Sequence, residues 1–348
     1  LASKKGFSSL KGFVNGVLRN IARDMDNITY PDEGTPEGLS VKFSCPLRLV
    51  DQLISEQGYD RAVKMLEASV EAADIYIRVN TGMITPEKLA DELKASGLSC
   101  EKAPYLPYAL RLKDVDSINR IPAFEKGLFI VQDLGSMLVT ELSGIKKGDT
   151  VFDVCAAPGG KTLHALSKLD GTGHVYSFDI SENKLLLIRD NISRAGFSNV
   201  DVTSADALVY NAEYEKKADV LIADLPCSGL GVLKRKNDIK YNMTPEKEAS
   251  LASLQWEMLK NVSRYVKPGG IMVFSTCTVH RAENEENFAR IRDELPFVPL
   301  PFYDDLPDEL KCDTAKEGYI QLLPGVHECD GFFISRFLRK DDDDRTRS

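Results

Sequence analysis

The spacing of apolar side chains divides the chain into a helical beginning, a mixed middle part and a long alternating remainder. Residues 7–23 carry apolar side chains at helical intervals and end in basic residues, which predicts an amphipathic helix. Residues 31–45 contain several prolines and glycines and are typical of a linker. Two amphipathic helices, broken at Gly58, are predicted within residues 46–73.

The middle part of the chain mixes the helical period with the strand period. Residues 75–80 alternate as a strand, and residues 86–96 have a proline near the start of a helical pattern. Two further short strands are predicted at residues 98–102 and 109–112. We therefore predict a small α+β domain over residues 46–126.

From residue 127 the pattern becomes strand, glycine-containing turn and helix. Strands are predicted at 150–154, 173–178, 200–203, 219–223 and 271–275, and helices at 161–168, 182–195, 245–266 and 282–293. Such alternation predicts a parallel sheet covered by helices on both faces. The last two apolar runs, 319–323 and 331–338, are joined by a loop too short for a crossover, so they should pair antiparallel. The predicted class is α/β, and the layout over residues 127–340 resembles a Rossmann-like methyltransferase sheet.

Composition narrows the class of protein. The 348 residues, 43% hydrophobic and 28% charged, are ordinary for a globular protein of two or three domains. The chain begins with Leu1 inside a helical pattern, so we expect that an N-terminal part is missing. Apolar stretches of about 18 residues and a signal peptide are absent from the sequence, which argues against a membrane protein. Seven cysteines without a C-x-x-C pair favour a reducing cytoplasm over disulfides or a metal site.

Charge is distributed unevenly along the chain. The formal net charge of -9 argues against a nucleic-acid partner, because phosphate contacts need Lys and Arg. Basic residues nevertheless concentrate in residues 1–30 and 234–240, whereas acidic residues concentrate in 304–309 and in the tail. Each basic cluster either contacts RNA or forms a solvated surface. The acidic tail, residues 341–348, is expected to be disordered.

Three cysteines stand just after predicted strands. Cys155, Cys227 and Cys277 each follow an apolar run, and the carboxyl ends of parallel strands meet at one edge of a sheet. A cysteine is ordinarily a buried hydrophobic residue. Two thiols that face one crevice beside Asp224 suggest instead a thiolate nucleophile and a second thiol that assists it.

A glycine-containing turn suggests a cofactor site. The turn follows a strand, opens a helix and consists of Cys155, Ala156, Ala157, Pro158, Gly159, Gly160 and Lys161. Small residues and free N–H groups at a helix start let a ligand approach the backbone. The turn is not G-x-G-x-x-G, which disfavours nicotinamide and flavin cofactors. S-adenosylmethionine suits it better, with its amino-acid end at the turn, its ribose at Asp179 and its adenine at Asp206, and with Asp224 at the same edge.

Three motifs resemble one known family. C-A-A-P-G-G-K-T at 155–162, D-L-P-C-S-G-L-G at 224–231 and S-T-C-T at 275–278, followed by E-N-E-E-N, are similar to signatures of the Sun family of RNA 5-methylcytosine methyltransferases. The resemblance covers nearly the whole chain, with Q-D-L-G-S near residue 132 and D-G-F-F-I-S-R-F at the end. The upstream segments resemble the bacterial branch that methylates 16S ribosomal RNA and carries a NusB-like helical domain. Residues 1–30 would be the end of that domain.

The resemblance also implies roles for individual residues. Cys277 would add to carbon 6 of cytosine, and Cys227 would assist removal of the carbon 5 proton and release of the enzyme. Asp224 would hydrogen-bond the ring nitrogen edge, while Lys161 would help to position the base or the cofactor. The acidic residues after the Cys277 motif are expected to cap a helix, the four histidines to be structural, and the protein to be a monomer.

Two other interpretations stay open at this point. In a DNA cytosine methyltransferase, the nucleophile would be the Pro-Cys thiol, Cys227, and the second thiol would have no explanation. A non-catalytic ribosome-assembly factor would keep the fold for RNA binding alone, but such a protein needs neither both thiols nor Asp179 and Asp224. A cytosine in another RNA is a third possible substrate.

Overall fold

The computed structural model describes residues 3–113, 115 and 117–341. The chain separates into two compact units, Leu1–Gln52 and Leu53–Ser348. Most of the predicted acidic tail, residues 342–348, lies outside the described residues, as does Leu1. Within the described residues, every helix is too short or too polar to cross a membrane.

The first unit is helical. It contains helix α1 (Lys11–Asp24), helix α2 (Pro36–Lys42) and most of helix α3 (Leu47–Gln57). Helix α2 lies inside the segment predicted as a linker, because Thr35 accepts a hydrogen bond from the N–H of Gly38 and Pro36 occupies the first helical turn. Residues 31–45 are therefore not a continuous loop, and their role as a boundary between domains stays a prediction.

The second unit begins with a small antiparallel sheet. Its elements are α4 (Tyr59–Val70), β1 (Ile75–Val79), α5 (Pro86–Ala95), β2 (Ser99–Lys102), β3 (Ala109–Lys113), α6 (Pro122–Glu125) and β4 (Phe129–Val131). The strand order is β2-β3-β1-β4, and Ile77, Leu89 and Leu110 are among the residues of its core. Strand β4 lies beyond the boundary predicted at residue 126, yet it pairs with β1. Three apolar residues are too few to show a period, so the sequence did not identify this strand.

The remaining elements form one large sheet with helices on both faces. They are α7 (Leu134–Glu141), β5 (Thr150–Val154), α8 (Gly160–Leu169), β6 (His174–Asp179), α9 (Glu182–Ala195), β7 (Val200–Ser204), β8 (Ala218–Asp224), α10 (Ile239–Asn242), α11 (Pro245–Val262), β9 (Val266–Thr276), α12 (Glu285–Glu294), β10 (Phe297–Pro299), α13 (Asp313–Lys316), β11 (Tyr319–Leu322) and β12 (Phe332–Arg339). The order is β10-β12-β9-β8-β5-β6-β7, with β11 also paired to β12.

The pairing confirms the predicted α/β class. Strands β5 to β9 are parallel, whereas β12 runs antiparallel to β9, β10 and β11. Alternate residues of one strand enter different cores, so Phe152 packs on one face and Val151 on the other. Both faces are buried, and for this reason the strands read as continuous apolar runs.

The strand order determines where the loops after β5, β8 and β9 lie. Strand β5 has β6 on one side and β8 on the other, so the direction of the chain order reverses there. Open α/β sheets bind ligands beside the carboxyl ends of the strands at such a point. The loops after β5, β8 and β9 all begin at this edge.

Candidate functional site

Two thiols meet at the carboxyl edge of the large sheet. The sulfur atoms of Cys227 and Cys277 lie 3.3 Å apart. The neighbouring strands β8 and β9 bring them together, because Asp224 at the end of β8 is the register partner of Ser275 in β9. The prediction that the thiol loops share one edge is therefore confirmed for this pair.

The thiol of Cys227 holds its proton strongly. The hydrogen bond with Cys277 and, next, burial raise the pKa of Cys227 well above its ordinary value. Cys227 therefore keeps its proton at neutral pH and can donate it toward the sulfur of Cys277. The thiolate is the form of a cysteine that attacks electrophiles, so a Cys227 that keeps its proton is a poor nucleophile.

The third thiol, Cys155, belongs to the glycine turn. Burial first, and the carboxylate of Asp179 next, raise the pKa of Cys155 to about 12. A thiol that holds its proton so strongly is a poor nucleophile. Cys155 therefore lies at the same sheet edge as the other two thiols, but its properties fit a structural role beside the cofactor crevice.

The loop that carries Cys277 is fixed on both sides by one asparagine. The side chain of Asn284 accepts a hydrogen bond from the Thr276 hydroxyl at 2.6 Å and donates to the Thr278 carbonyl at 3.1 Å. The Cys277 carbonyl accepts a hydrogen bond from the N–H of Gly231 at 3.1 Å. A side chain at Gly231 would overlap the backbone of Gly331, so this close approach requires glycine.

A buried ion pair lies at the end of β8. The ammonium group of Lys161 donates to Asp224 Oδ2 at 2.6 Å and to the Ser136 hydroxyl at 3.0 Å. The Ser275 hydroxyl donates to the other oxygen of Asp224 at 2.8 Å. Lys161 is only 8% exposed, so removal of either charge would leave the other uncompensated. Both predicted residues are in the site, and Ser136, which the sequence did not indicate, helps to hold them.

The glycine turn has the backbone that its sequence suggested. Gly159 has a φ of 99° and starts helix α8, a conformation that other residues rarely adopt. The carboxylate of Asp179 accepts hydrogen bonds from the N–H groups of Ala157 at 3.3 Å and Ser181 at 3.0 Å. Asp179 therefore ties the end of β6 to the turn after β5, and the second lone pairs of its oxygens remain available to a ligand.

Two cavities open beside this turn. One, of about 150 Å³, is lined by residues that include Gln132, Ser136, Ala156, Gly160, Lys161 and Asp224. The other, of about 350 Å³, is lined by residues that include Cys155, Phe178, Asp206, Tyr214 and Tyr265. Asp206 lies two residues beyond the end of β7 and accepts a hydrogen bond from the N–H of Leu208. The aromatic walls of the larger cavity suit a flat ring.

The acidic run after Cys277 divides into two roles. Glu285 and Glu286 lie in the first turn of α12, as expected for residues that favour a helix start. Glu283 precedes the helix and is fully buried, and its carboxylate accepts a hydrogen bond from the N–H of Ser228 at 2.9 Å. Capping was therefore the wrong interpretation for Glu283, because burial against another loop has no signal in a local charge pattern.

The four histidines have contacts that fit structural roles. His164 is buried beside Tyr108, and His174 lies 3.1 Å from Asp201. His327 accepts a hydrogen bond from the N–H of Leu323. His280 faces three carboxylates, those of Glu56, Glu248 and Glu283, at 3.5 to 3.8 Å.

Two cations of the basic cluster after Cys227 have carboxylate partners. Lys234 lies within 4 Å of Glu71 and Asp74, at 3.6 and 3.8 Å. Arg235 donates to Asp330 and lies 3.4 Å from Asp133. Carboxylates distant in sequence therefore pair with both cations, and contact of this cluster with RNA stays a prediction.

The Arg235 pair gives a stability prediction. Arg235→Ala should lower the free energy of unfolding by about 2–3 kcal/mol at pH 7, because it leaves two buried carboxylates without their cation. Burial already raises the pKa of Asp133 to about 6. The loss should therefore shrink as the pH falls from 7 toward 5, where the raised carboxyl groups take up protons in the folded state. Urea unfolding at both pH values measures this, with Arg292→Ala as the surface control; an equal loss at both would contradict it.

Comparison with protein families gives two matches. The family model described as 16S rRNA methyltransferase RsmB/F matches residues 141–338. A second model, described as the ferredoxin-like domain of RsmF/B-like methyltransferases, matches residues 45–119. The first match covers more than half of the chain and includes both thiols and the glycine turn.

Individual proteins agree with these matches. The probable ribosomal RNA small subunit methyltransferase B of Bacillus subtilis is 33% identical over 98% of this chain and 76% of its own length. A methyltransferase homolog from Pyrococcus horikoshii has a similar structure, with a TM-score of 0.71, 27% identity and coverage of 86% of this chain and 97% of its own. NSun6 from the same organism, solved with SFG, has a TM-score of 0.73, 23% identity and coverage of 85% and 99%, and at this identity supports the fold.

Proposed function

Since the chain belongs to the 16S rRNA methyltransferase RsmB/F family, we propose that it methylates carbon 5 of a cytosine in 16S ribosomal RNA. The observation that carries this proposal is the contact between Cys227 and Cys277, 3.3 Å apart beside Asp224. Methyl transfer to a ring nitrogen or a ribose oxygen would not require a pair of thiols. Carbon 5 of cytosine is not nucleophilic, so its methylation requires a covalent nucleophile.

The residues around the glycine turn fit S-adenosylmethionine, which supplies an electrophilic methyl group when it is bound. The backbone at Gly159 is left-handed and leaves the start of α8 open to a small ligand. Asp179, at the end of β6, would hold the ribose hydroxyls through its remaining lone pairs. The larger cavity, with Asp206 and aromatic walls, has the size and lining for an adenine ring. Lys161 and Asp224 would face the amino-acid end.

Cys277 is the residue that we propose as nucleophile. Its thiolate would add to carbon 6 of the cytosine, and the ring electrons would shift to make carbon 5 an enamine carbon that can accept a methyl group. Cys227 contacts Cys277, with 3.3 Å between the two sulfur atoms, but the addition itself would not depend on it. Asn284 keeps the attacking residue in place through its bonds on either side of it.

Asp224 and Lys161 would prepare the base for that attack. The ring accepts the thiolate more readily when N3 carries a proton taken up from solvent, and the carboxylate would accept a hydrogen bond from that N3–H and so stabilise the protonated ring. Lys161 and the Ser275 hydroxyl hold both oxygens of this carboxylate, which fixes its direction. Lys161 is thus proposed to act mainly through Asp224.

Cys227 would complete the reaction. After methyl transfer, a base must take the proton from carbon 5, so that the electrons of that C–H bond re-form the ring double bond and the Cys277 thiolate leaves carbon 6. Cys227 would first lose its own proton to solvent, and the thiolate so formed would take the carbon 5 proton and return to the thiol form. Its position in contact with Cys277 is the place where such a base is needed.

The proposal is tested by methyl transfer to defined RNA. The protein, labelled S-adenosylmethionine and 16S ribosomal RNA, free or in partly assembled subunits, should yield 5-methylcytidine when nucleosides are separated by mass spectrometry. Transfer RNA and a DNA duplex serve as control substrates. Label in another nucleoside, or 5-methylcytosine in the DNA only, would contradict the proposal. Action as a cytoplasmic monomer stays a prediction.

Cofactor binding should depend on Asp179. Asp179→Ala should weaken the affinity for S-adenosylmethionine by about tenfold or more, because the variant loses charge-assisted hydrogen bonds to the ribose and to the turn. Titration calorimetry measures the affinity. Asp201→Ala, at an exposed position of the neighbouring strand β7, is the matched control and should bind like the wild type. Equal binding by both variants would remove Asp179 from the cofactor site.

A further inference from the structure

Two buried side chains hold the peptide groups on either side of Cys227. The side-chain amide of Gln255, in helix α11, donates to the Pro226 carbonyl at 2.9 Å. The carboxylate of Glu283 accepts a hydrogen bond from the N–H of Ser228, also at 2.9 Å. The peptide bond before the thiol and the peptide bond after it are therefore both anchored, so the position of the Cys227 backbone is defined.

The two anchors also bind each other. Gln255 donates to the same oxygen of Glu283 at 2.9 Å. Asn287, in α12, donates to the side-chain oxygen of Gln255 at 3.0 Å and to the Glu283 carbonyl at 3.2 Å. All three side chains are at most 1% exposed, where hydrogen bonds are stronger than in water. The network connects the Cys227 loop to two helices that pack on the sheet.

Burial of the Glu283 carboxylate has a cost in folding free energy. Burial raises the pKa of this carboxyl group, and its other oxygen has no hydrogen-bond partner within the part of the chain that the structure describes, although the His280 ring lies 3.8 Å from it. A fully buried and incompletely paired carboxylate destabilises the fold. Helix capping does not account for it, because α12 begins two residues later. A role in placing the thiol loop does account for it.

The same network reaches the loop of the second thiol. The hydroxyl groups of Ser228 and Thr278, the residues that follow the two cysteines, lie 2.7 Å apart. A movement of the Cys227 backbone would therefore change the 3.3 Å separation of the sulfur atoms. Misplacement of a reacting group by about 1 Å can cost about a hundredfold in rate.

We propose that Glu283 and Gln255 are positioning residues for Cys227 and that they serve its step, the release of the methylated base. This inference rests on the proposed function. Neither side chain touches the cofactor cavities or the loop bonds that Asn284 makes around Cys277. Attack by Cys277 and methyl transfer should therefore survive the loss of either residue, whereas removal of the carbon 5 proton should slow.

The test uses two variants that preserve volume. In Glu283→Gln, an amide group faces the amide of Gln255 and one acceptor is lost; in Gln255→Met, the donor to the Pro226 carbonyl is lost and every charge stays. Each variant should turn over about ten- to a hundredfold more slowly. Each should also accumulate a covalent protein–RNA complex on denaturing gels after incubation with 16S RNA and S-adenosylmethionine. Glu286→Gln, at an exposed position in the first turn of α12, should match the wild type.

The split between attack and release separates positioning from general support of the fold. If Glu283→Gln and Gln255→Met lose methyl transfer and the covalent complex together, or if they turn over like the wild type, the inference is overturned. Thermal unfolding identifies a variant that does not fold, and the other variant then decides. If Cys227→Ala accumulates the complex while both variants release product normally, only the inference fails; if the wild type forms no 5-methylcytidine, the proposed function itself fails.

Discussion

Cys277→Ala should abolish methylation of 16S RNA and leave no covalent protein–RNA complex. Without the thiolate, no bond forms to carbon 6, and carbon 5 keeps too little electron density to accept a methyl group. The loss should be at least about ten-thousandfold, as for other residues that form the covalent intermediate. Incorporation of labelled methyl groups measures the rate, and denaturing gel electrophoresis reports the complex.

The control for this variant is a cysteine outside the site. Cys312→Ala removes a partly exposed thiol whose hydrogen-bond partner is Thr314, and its activity should equal that of the wild type. Cys277→Ala should still bind S-adenosylmethionine, since the cofactor cavities do not include Cys277. Measurable turnover by Cys277→Ala would refute thiol catalysis by this residue.

Cys227→Ala should lose turnover in the opposite way, with a covalent complex that accumulates. Addition to carbon 6 and methyl transfer do not require Cys227, but removal of the carbon 5 proton does, so the reaction stops before release. The complex should appear in nearly stoichiometric amount on a denaturing gel and should require S-adenosylmethionine. The same gel with Cys277→Ala, and with the double variant, should show none.

The reversed pattern has a definite meaning. A complex with Cys277→Ala and none with Cys227→Ala would assign the attack to the Pro-Cys thiol, as in DNA cytosine methyltransferases. The raised pKa of Cys227 opposes that assignment, because a thiol that keeps its proton is the weaker nucleophile at neutral pH. Full activity of both variants would remove both thiols from the mechanism.

The large sheet could be predicted from the sequence because its strands are buried on both faces. Continuous apolar runs such as β5 and β8 stand out from the helices between them, and the short loop between β11 and β12 excludes a crossover. Strands β4 and β10 were not predicted, since each has three residues and β10 includes a proline. Only pairing with a longer strand identifies such segments.

Site residues that lie at the end of a strand, or directly after it, could be predicted from the sequence. Asp179 and Asp224 end β6 and β8, and Cys277 directly follows β9, so the parallel topology brings all three to one edge. Contacts between loops distant in sequence could not be predicted. Gln255 and Glu283 meet at the Cys227 loop only because α11 and the segment before α12 pack side by side.

The ion pairs of Lys234 and Arg235 could not be predicted from the sequence, for a related reason. Lys234 and Arg235 looked like a cationic surface because their local sequence has few acidic residues. Their carboxylate partners include residues of the segment between α4 and β1 and of the loop before β12. A charge run shows how many cations are present, but only the fold shows which of them are neutralised.

The central claim is that Cys277 forms the bond to carbon 6, and it can be tested in the wild-type protein. In RNA that carries 5-fluorocytidine, attack on carbon 6 and methyl transfer can proceed. Carbon 5 then carries fluorine in place of the proton that a base would remove, so the covalent complex should persist. Proteolysis and mass spectrometry then locate the attached nucleotide. The account predicts the nucleotide, with one added methyl group, on Cys277; a nucleotide on Cys227, or no attached nucleotide, would contradict it.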